Sequence, residues 1–257
     1  MRIFTMIVLV SFVLLSQHVF AFSYKAQQFQ SKEQRVALIE LFSSEGCHSC
    51  PPAEHWLNDL KNKENLWEDF VPVAFHVDYW DYLGWKDIYA KSVYSQRQHF
   101  YASENREPGV YTPGVRANGR EFRHWRRADL GKLSEFKGDA VGVLDFNINE
   151  DGTFTAAFNV SGQKKPAALG INGELHFVTV ALLGMGISTD VKRGENAGKI
   201  LNHEFIVLES QDFEINNGSW SGKLPTSELP ASKYAIAAWV STNKSQSPVQ
   251  VVGGFLN

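Results

Sequence analysis

Cys47 and Cys50 are the residues of this sequence best suited to chemistry, and they are its only two cysteines. His48 and Ser49 separate them, so they form a Cys-x-x-Cys motif. In an oxidising compartment two thiols this close are expected to form a disulfide. Such a disulfide can react by exchange with other thiols. Because the bridge closes a very short loop, it restrains the unfolded chain little. The spacing therefore favours a redox role over a structural one.

The pattern around the motif predicts a buried strand followed by a helix. Residues 36–42 (VALIELF) form an apolar run of strand length. After Pro51-Pro52, apolar residues recur at i, i+3, i+4 and i+7, namely Ala53, Trp56, Leu57 and Leu60. We therefore expect Cys47 at a helix N-terminus, where unpaired amide hydrogens and the helix dipole favour a thiolate. A protonated His48 would stabilise that thiolate further.

The pattern continues with further elements up to about residue 137. It predicts a second buried strand over 71–77, an aromatic loop over 78–85 and a helix over 86–102. Asn118-Gly119 lies between two short extended segments and is typical of a two-residue hairpin turn. Residues 127–137 predict a short closing helix.

This order of elements, with Thr112-Pro113 before the hairpin, resembles the thioredoxin fold. The resemblance implies that the Thr112–Pro113 bond is cis, that it faces the disulfide and that it helps to bind the backbone of a substrate. It also matches Glu40 to a buried acid that relays a proton to Cys50. The alternative for Glu40 is a half-exposed strand residue. The sequence departs from ordinary thioredoxin in lacking a Trp before the first cysteine and a Gly-Pro between the two.

Four segments are similar to a bacterial family of secreted thioredoxin-like proteins that is catalogued as a domain of unknown function, DUF family 1223. The segments are ELFSSEGCHSCPPAE, HVDYWDYLGWKD, YTPGVRANGRE and KRGENAGKILNH. Together they extend over nearly the whole chain. The resemblance implies a thioredoxin-like fold for the first half and indicates an activity only loosely.

The second half reads as strands separated by turns. Segments 141–149 and 154–160 alternate around Asp151-Gly152, which predicts a hairpin, and later strand-like runs follow at 174–183, 201–209, 232–241 and 248–256. We therefore expect an α/β thioredoxin-like N-terminal domain over 22–137, followed by an all-β, sandwich-like C-terminal domain over 138–257.

The first 21 residues predict a secretory signal peptide. Arg2 is followed by an uncharged apolar run and by small residues around Ala21. An uncleaved N-terminal anchor is the alternative. We expect a periplasmic or secreted protein with no stable membrane insertion after cleavage. The formal charge of −3 and the absence of a basic block exclude nucleic acid as an expected partner.

The leading hypothesis is an exported thiol–disulfide oxidoreductase acting on a protein or a small thiol or disulfide. The predicted catalytic residues are Cys47, Cys50, His48, Pro113 and Glu40. The predicted substrate-binding residues are Thr112, Trp80 and Asp78. The hypothesis includes no cofactor, because the electrons pass between sulfurs, and no metal site.

Two other functions also fit the sequence. A metallochaperone-like or ligand-binding module would bind its ligand through the cysteines, and a non-catalytic adaptor would use the second domain. A soft metal site formed by His76, Asp78 and Asp81 with the motif is possible by spacing, although hydrogen-bonded polar residues shaping a groove are the commoner arrangement. Residues 193–199 (RGENAGK) lack the length and the hydroxyl residue of a phosphate-binding loop, and are expected to join two strands.

Overall fold

The structure is a computed structural model that describes residues 24–127, 138–162, 176–216 and 219–257. The predicted signal peptide and nearly all of the predicted closing helix over 127–137 lie outside these ranges. Neither described α-helix has the length and apolar character needed to cross a bilayer.

The described residues form fourteen β-strands and two α-helices. In chain order they are β1 (Gln27–Gln30), β2 (Ala37–Ser43), α1 (Pro51–Asp59), β3 (Phe70–His76), α2 (Ser92–Glu104), β4 (Gly114–Ala117), β5 (Arg120–Glu121), β6 (Gly142–Ile148), β7 (Thr153–Val160), β8 (His176–Met185), β9 (Ile187–Asp190), β10 (Ile200–His203), β11 (Ile206–Glu214), β12 (Trp220–Lys223), β13 (Lys233–Thr242) and β14 (Ser245–Phe255).

Most strands join one eight-stranded mixed sheet with the order β14-β13-β8-β11-β3-β2-β4-β5. A four-stranded sheet has the order β1-β6-β7-β12, and β9 pairs with β10 as a separate ribbon. In the large sheet β2 and β3 are parallel, as are β3 and β11, whereas the other pairs are antiparallel. β2 and β3 are buried along their whole length, which explains why their sequences are mainly apolar.

The predicted fold class, an α/β thioredoxin-like domain followed by an all-β domain, is wrong. The strands of the first half do not close a sheet of their own, because the outer edge of β3 pairs with β11 and the Ala74 amide donates to the Phe205 carbonyl (2.8 Å). An exposed strand edge offers unpaired peptide groups, and β11 pairs with this edge at Ala74. Strands from both sides of residue 137 therefore share one mainly antiparallel sheet; the boundary at residue 137 itself stays a prediction.

The local elements near the motif agree more closely with the sequence. β2, α1 and β3 occupy the predicted places. The helix expected over 86–102 begins only at Ser92, because residues 86–91 form turns in which Asp87 accepts a hydrogen bond from the Tyr89 amide. Asn118 and Gly119 both have positive φ, as the β4–β5 hairpin turn requires.

The core is divided by the faces of the large sheet. α1 packs over β2, β3 and β4 on one face, and the four-stranded sheet packs over β8, β13 and β14 through a separate cluster. α2 lies on the opposite face, where Tyr94 and Tyr101 contact a cluster that includes Phe75 and Trp239. Residues of β13 alternate between the two sides: Ala237 and Trp239 belong to the α2 side, and Ile236 and Ala238 to the other.

A buried glutamine on β14 connects the eight-stranded sheet to the four-stranded sheet. The Gln250 side-chain oxygen accepts a hydrogen bond from the Val36 amide (2.9 Å), and its nitrogen donates to the carbonyls of Lys32 (2.9 Å) and Gly142 (2.8 Å). Gln250 is fully buried. These bonds anchor the chain before β2 and the start of β6 to the same point.

Replacing Gln250 with leucine should lower the free energy of unfolding by about 3 kcal/mol, because it leaves buried peptide groups unpaired at about 1–3 kcal/mol each. Urea unfolding followed by circular dichroism measures the change. Gln28→Leu, at an exposed position on β1, is the control and should change stability by less than about 0.5 kcal/mol. Equal stability of the two variants would contradict this role of Gln250.

Candidate functional site

Cys47 and Cys50 form a disulfide in the turn between β2 and α1, with their Cα atoms 5.4 Å apart. Cys50 is the N-cap of α1, and its carbonyl accepts hydrogen bonds from the amides of Ala53 (2.8 Å) and Glu54 (3.2 Å). Cys47 lies three residues earlier, and its amide donates to the Ser44 carbonyl (3.1 Å). The helix terminus is thus at Cys50 rather than at Cys47, where the sequence analysis placed it.

Both cysteines are buried. The exposed fraction of Cys47 is 0% and that of Cys50 is 1%. The Ser49 hydroxyl lies 3.5 Å from the Cys47 sulfur and is the hydroxyl in reach to donate to it. A thiol from outside can therefore attack this bond only after some neighbouring part of the chain moves.

The loop 191–199, which joins β9 to β10, packs against the disulfide turn. Asn196 is fully buried, and its side-chain nitrogen donates to the carbonyls of Glu45 (2.8 Å) and Cys47 (2.9 Å). Lys199 donates to the Asn196 side-chain oxygen (2.8 Å) and fixes its orientation. The loop is a strand connection, as the sequence predicts, and it also holds the backbone on both sides of Gly46.

His48 points toward the same loop. Its backbone amide donates to a carboxylate oxygen of Glu195 (3.2 Å), and its Nδ1 lies 3.3 Å from the Glu195 carbonyl oxygen and 3.5 Å from the Lys199 ammonium. His48 is exposed. It therefore joins the motif to the loop, a contact that the sequence analysis did not anticipate.

Trp80 lies against Gly46 of the disulfide turn and is hydrogen-bonded to Thr112. The indole nitrogen of Trp80 donates to the Thr112 hydroxyl (2.7 Å). A Cβ placed on Gly46 would come within 3.1 Å of the Trp80 Cβ, so this glycine permits the close approach. The Thr112–Pro113 bond is cis, as the resemblance implies, and Gly114 after it pairs with Phe42 on β2.

Asp78 and Asp81 serve the start of α2 and the loop before it. Asp78 accepts a hydrogen bond from the Ser95 hydroxyl (2.5 Å), and Asp81 accepts one from the Asp87 amide (3.2 Å). The structure does not bring them together with the cysteines and His76 as a soft metal site. It instead shows the local hydrogen bonding that the sequence analysis gave as the commoner arrangement.

Glu40 lies on the α2 side of the sheet, opposite the face that α1 covers. Its carboxylate accepts hydrogen bonds from the Arg97 guanidinium (2.8 Å) and the Tyr101 hydroxyl (2.9 Å), and its side chain is fully buried. Ile39 and Leu41, its neighbours on β2, contact the core on the α1 side. The structure therefore does not bring Glu40 to the disulfide.

A buried group of two histidines and three carboxylates lies next to the disulfide turn. This histidine–carboxylate cluster consists of Glu45, Glu54, His76, Asp87 and His203, whose side chains are at most 7% exposed. His76 Nδ1 is 2.7 Å from Asp87 Oδ2, and the His76 and His203 rings are 5.2 Å apart. Glu45 precedes Cys47 by two residues, and Glu54 follows Cys50 by four.

The two histidines of the cluster hold a proton more strongly than free histidine. Burial would lower the pKa of His76, but the carboxylates of Asp87 and Glu54 outweigh it and raise the pKa. Burial likewise opposes the charged form of His203, and Glu54 and Glu45 raise its pKa to about 10. Burial would raise the pKa values of Glu54 and Asp87, yet the histidines lower both. Opposite charges thus compensate one another inside the protein.

Sequence reasoning found only part of this cluster. His76 was considered for a different set of partners, and Glu45, Glu54, Asp87 and His203 were not proposed as site residues. Glu45, Glu54, Asp87 and His203 all fall within the family-like segments quoted above, and that was the available signal. Their proximity depends on the pairing of β3 with β11 and on the β9–β10 ribbon, which local patterns do not reveal.

The profile of the family described as "Protein of unknown function (DUF1223)" matches residues 38–241. The chain belongs to the DUF1223 family. The membership expected from the four segments is thereby confirmed. No curated protein matches the chain.

Two solved structures are similar to this DUF1223 chain. Protein AGR_C_4864 from Agrobacterium tumefaciens is 26% identical, with a TM-score of 0.61, over 88% of this chain and 94% of that one. HBP35 of Porphyromonas gingivalis is 15% identical, with a TM-score of 0.55, over 87% of this chain and 76% of that one. The likeness to HBP35 shows a shared fold alone.

Replacing Asn196 with alanine should make the disulfide of this DUF1223 chain easier to reduce. Two hydrogen bonds of about 1 kcal/mol each hold the loop 191–199 against the disulfide turn. Their loss raises the fraction of molecules in which the loop has moved away from the disulfide by about 30-fold. The rate of reduction by a small thiol, measured by alkylation and mass spectrometry, should rise by about that factor. Lys192→Ala on the same loop, at an exposed position, is the control. Equal rates in both variants would show that the loop does not restrict access.

Replacing Arg97 with methionine should cost about 3–5 kcal/mol of stability, because it leaves the Glu40 carboxylate buried and unpaired. The double variant Glu40→Gln/Arg97→Met should recover part of that loss. Glu40→Gln alone should leave the rate of disulfide reduction unchanged under native conditions. A clear change in that rate would restore Glu40 as a participant in the cysteine chemistry.

Proposed function

We propose that this protein is a thiol–disulfide oxidoreductase whose Cys47–Cys50 bond exchanges with a protein or small-molecule thiol. The observation that carries the proposal is the position of the bond: it closes a two-residue gap at the start of α1 and is packed under the loop 191–199. By the chain-entropy relation, a loop this short stabilises the fold by only about 2 kcal/mol, against about 3 kcal/mol for a 15-residue loop. Reversible chemistry is therefore the better account of the bond.

The exchange proceeds in two balanced steps. A substrate thiolate attacks the sulfur of Cys47, the Cys47–Cys50 bond breaks, and Cys50 leaves as a thiolate that takes up a proton. A second substrate thiol, as its thiolate, then attacks the mixed disulfide and releases Cys47. The substrate dithiol becomes a disulfide, and the protein disulfide becomes two thiols, with two electrons transferred. The reverse sequence reduces a substrate disulfide, with Cys50 resolving the mixed disulfide.

Cys47 is assigned as the exchanging sulfur because of its surroundings. Its carbonyl is held by Asn196 of the loop, and the next residue, His48, is exposed. The Cys50 carbonyl is instead built into the first turn of α1. Displacement of the loop would therefore expose Cys47 before Cys50.

A substrate chain would approach between the motif and Thr112-Pro113. Trp80 links the two parts, because its Cβ packs on Gly46 and its indole donates to Thr112. The reaction includes no cofactor, since electrons move between sulfurs. The proposal places the protein in the periplasm or outside the cell, where the disulfide persists.

Trapping of the mixed disulfide tests the proposal. In Cys50→Ser the remaining Cys47 thiol should form a lasting mixed disulfide when the folded protein is mixed with oxidised glutathione, and mass spectrometry should detect it. The reduced parent protein should instead release the glutathione and close its own bond. Cys47→Ser is the matched control and should trap glutathione at least about 10-fold more slowly.

Two outcomes would count against the enzyme. If neither variant forms a mixed disulfide until denaturant is added, the disulfide is inert in the folded protein. A reduced protein that binds Zn²⁺ tightly and 1:1 through its thiolates, without exchanging disulfides, would favour the metallochaperone-like alternative.

A further inference from the structure

The geometry points to a metal site separate from the disulfide: we propose that Glu54, His76 and His203 bind one divalent transition-metal ion of the zinc type. The three side chains come from α1, β3 and β10 and are nearly or fully buried. One ligand atom from each lies within 4.8 Å of the other two. The site needs no cysteine, so its existence is independent of the redox proposal.

Unpartnered atoms face one another inside this cluster. His76 Nε2, His203 Nε2, Glu54 Oε1 and Glu45 Oε1 are buried and make no well-formed hydrogen bond in the described part of the chain. His76 Nε2 is 3.6 Å from Glu54 Oε1, and His203 Nε2 is 3.4 Å from Glu45 Oε1. These ion pairs are too long for good hydrogen bonds, and buried polar atoms normally make good ones. The open Nε2 of His76 and Oε1 of Glu54 therefore point to a ligand between them, and His203 Nδ1 lies 3.2 Å from the other oxygen of the same carboxylate.

The separations suit a small ion with short bonds. Metal–ligand distances of about 2.0–2.2 Å in a tetrahedral site place neighbouring ligand atoms about 3.3–3.6 Å apart. His76 Nε2 and Glu54 Oε1 are already this far apart. The most widely separated ligand atoms, within 4.8 Å of each other, would have to approach by about 1 Å. Two imidazole nitrogens and one carboxylate oxygen are a ligand set for Zn²⁺ or Co²⁺ rather than for Mg²⁺ or Ca²⁺, which take mainly oxygen.

The surrounding residues orient the ligands. His76 Nδ1 is 2.7 Å from Asp87 Oδ2, which leaves Nε2 directed at the cluster, as in carboxylate–histidine–metal arrangements. The Asp87 carboxylate is itself fixed by the amides of Glu45 (2.9 Å) and Tyr89 (3.0 Å). The Trp85 indole donates to Glu45 Oε2 (2.7 Å) and leaves Oε1 facing His203. A metal ligand therefore has its supporting hydrogen bonds in place.

Charge and access also fit an ion. Three buried carboxylates need compensating positive charge. One divalent ion that displaces the protons of the two imidazoles into solvent supplies as much charge as the protonated rings did. A cavity of about 20 Å³ lies between the start of α1 and β10, lined in part by Pro51, Glu54 and His203. The cavity reaches two of the three proposed ligands, Glu54 and His203, and gives a small ion a path toward them.

Titration of the oxidised full-length protein with Co²⁺ and Zn²⁺ tests the site. After chelator dialysis the protein should bind one Co²⁺ with the visible bands of nitrogen and oxygen coordination and without thiolate charge-transfer bands. Zn²⁺ should displace the Co²⁺, and the Cys47→Ser/Cys50→Ser variant should bind equally. His203→Gln and Glu54→Gln should weaken Zn²⁺ binding at least 100-fold, and Asp87→Asn by about 10–100-fold.

His99→Gln is the matched control, because His99 is exposed on α2, and it should bind as the parent does. The parent protein decides the question even where a variant fails to fold, since bound Zn²⁺ must also raise its melting temperature. Absence of a Co²⁺ spectrum in the parent would overturn the proposal and leave the cluster as an internal salt-bridge network. Binding that persists in His203→Gln, or that disappears with the cysteines, would overturn it as well.

Discussion

Opposite charges are buried together beside the disulfide, and their mutual compensation fixes how the elements around them are placed. Five ionisable side chains lie together with almost no exposure, and each is costly to bury unless the others are in place. Glu45 comes from the turn before Cys47, Glu54 from the first turn of α1, His76 from the end of β3, and His203 from β10. Correct placement of the turn, α1, β3 and the β9–β10 ribbon is therefore a single requirement.

The same constraint connects the two halves of the chain. His203 lies on the β9–β10 ribbon, directly before the point where β11 pairs in parallel with β3. The loop between β9 and β10 then lies against the disulfide, where Asn196 holds the carbonyls of Glu45 and Cys47. The later half thus supplies both the cover of the cysteines and one histidine of the cluster. The disulfide turn in the first half is thus enclosed by residues about 150 positions away.

Patterns of neighbouring residues predicted single strands, helices and turns well, but they did not predict how distant strands pair. The apolar run of β2, the helical spacing after Pro51 and the Asn118-Gly119 turn depend on neighbours in sequence, and each predicted element is present. The sheet that β3 joins depends on which distant strand satisfies its free edge, and periodicity carries no such information. Glu40 shows the same limit, because alternation along β2 fixes its face but not whether the disulfide or Arg97 lies there.

The proposed exchange requires that the Cys47–Cys50 bond can open and close within the folded protein. Equilibration of the native chain with glutathione buffers of graded ratio, read by alkylation and by near-ultraviolet circular dichroism, tests it most directly. The account predicts one reversible two-electron transition, with the aromatic signal of the folded core retained on both sides of it. Reduction that occurs only together with loss of that signal would contradict the account and make the bond a structural one.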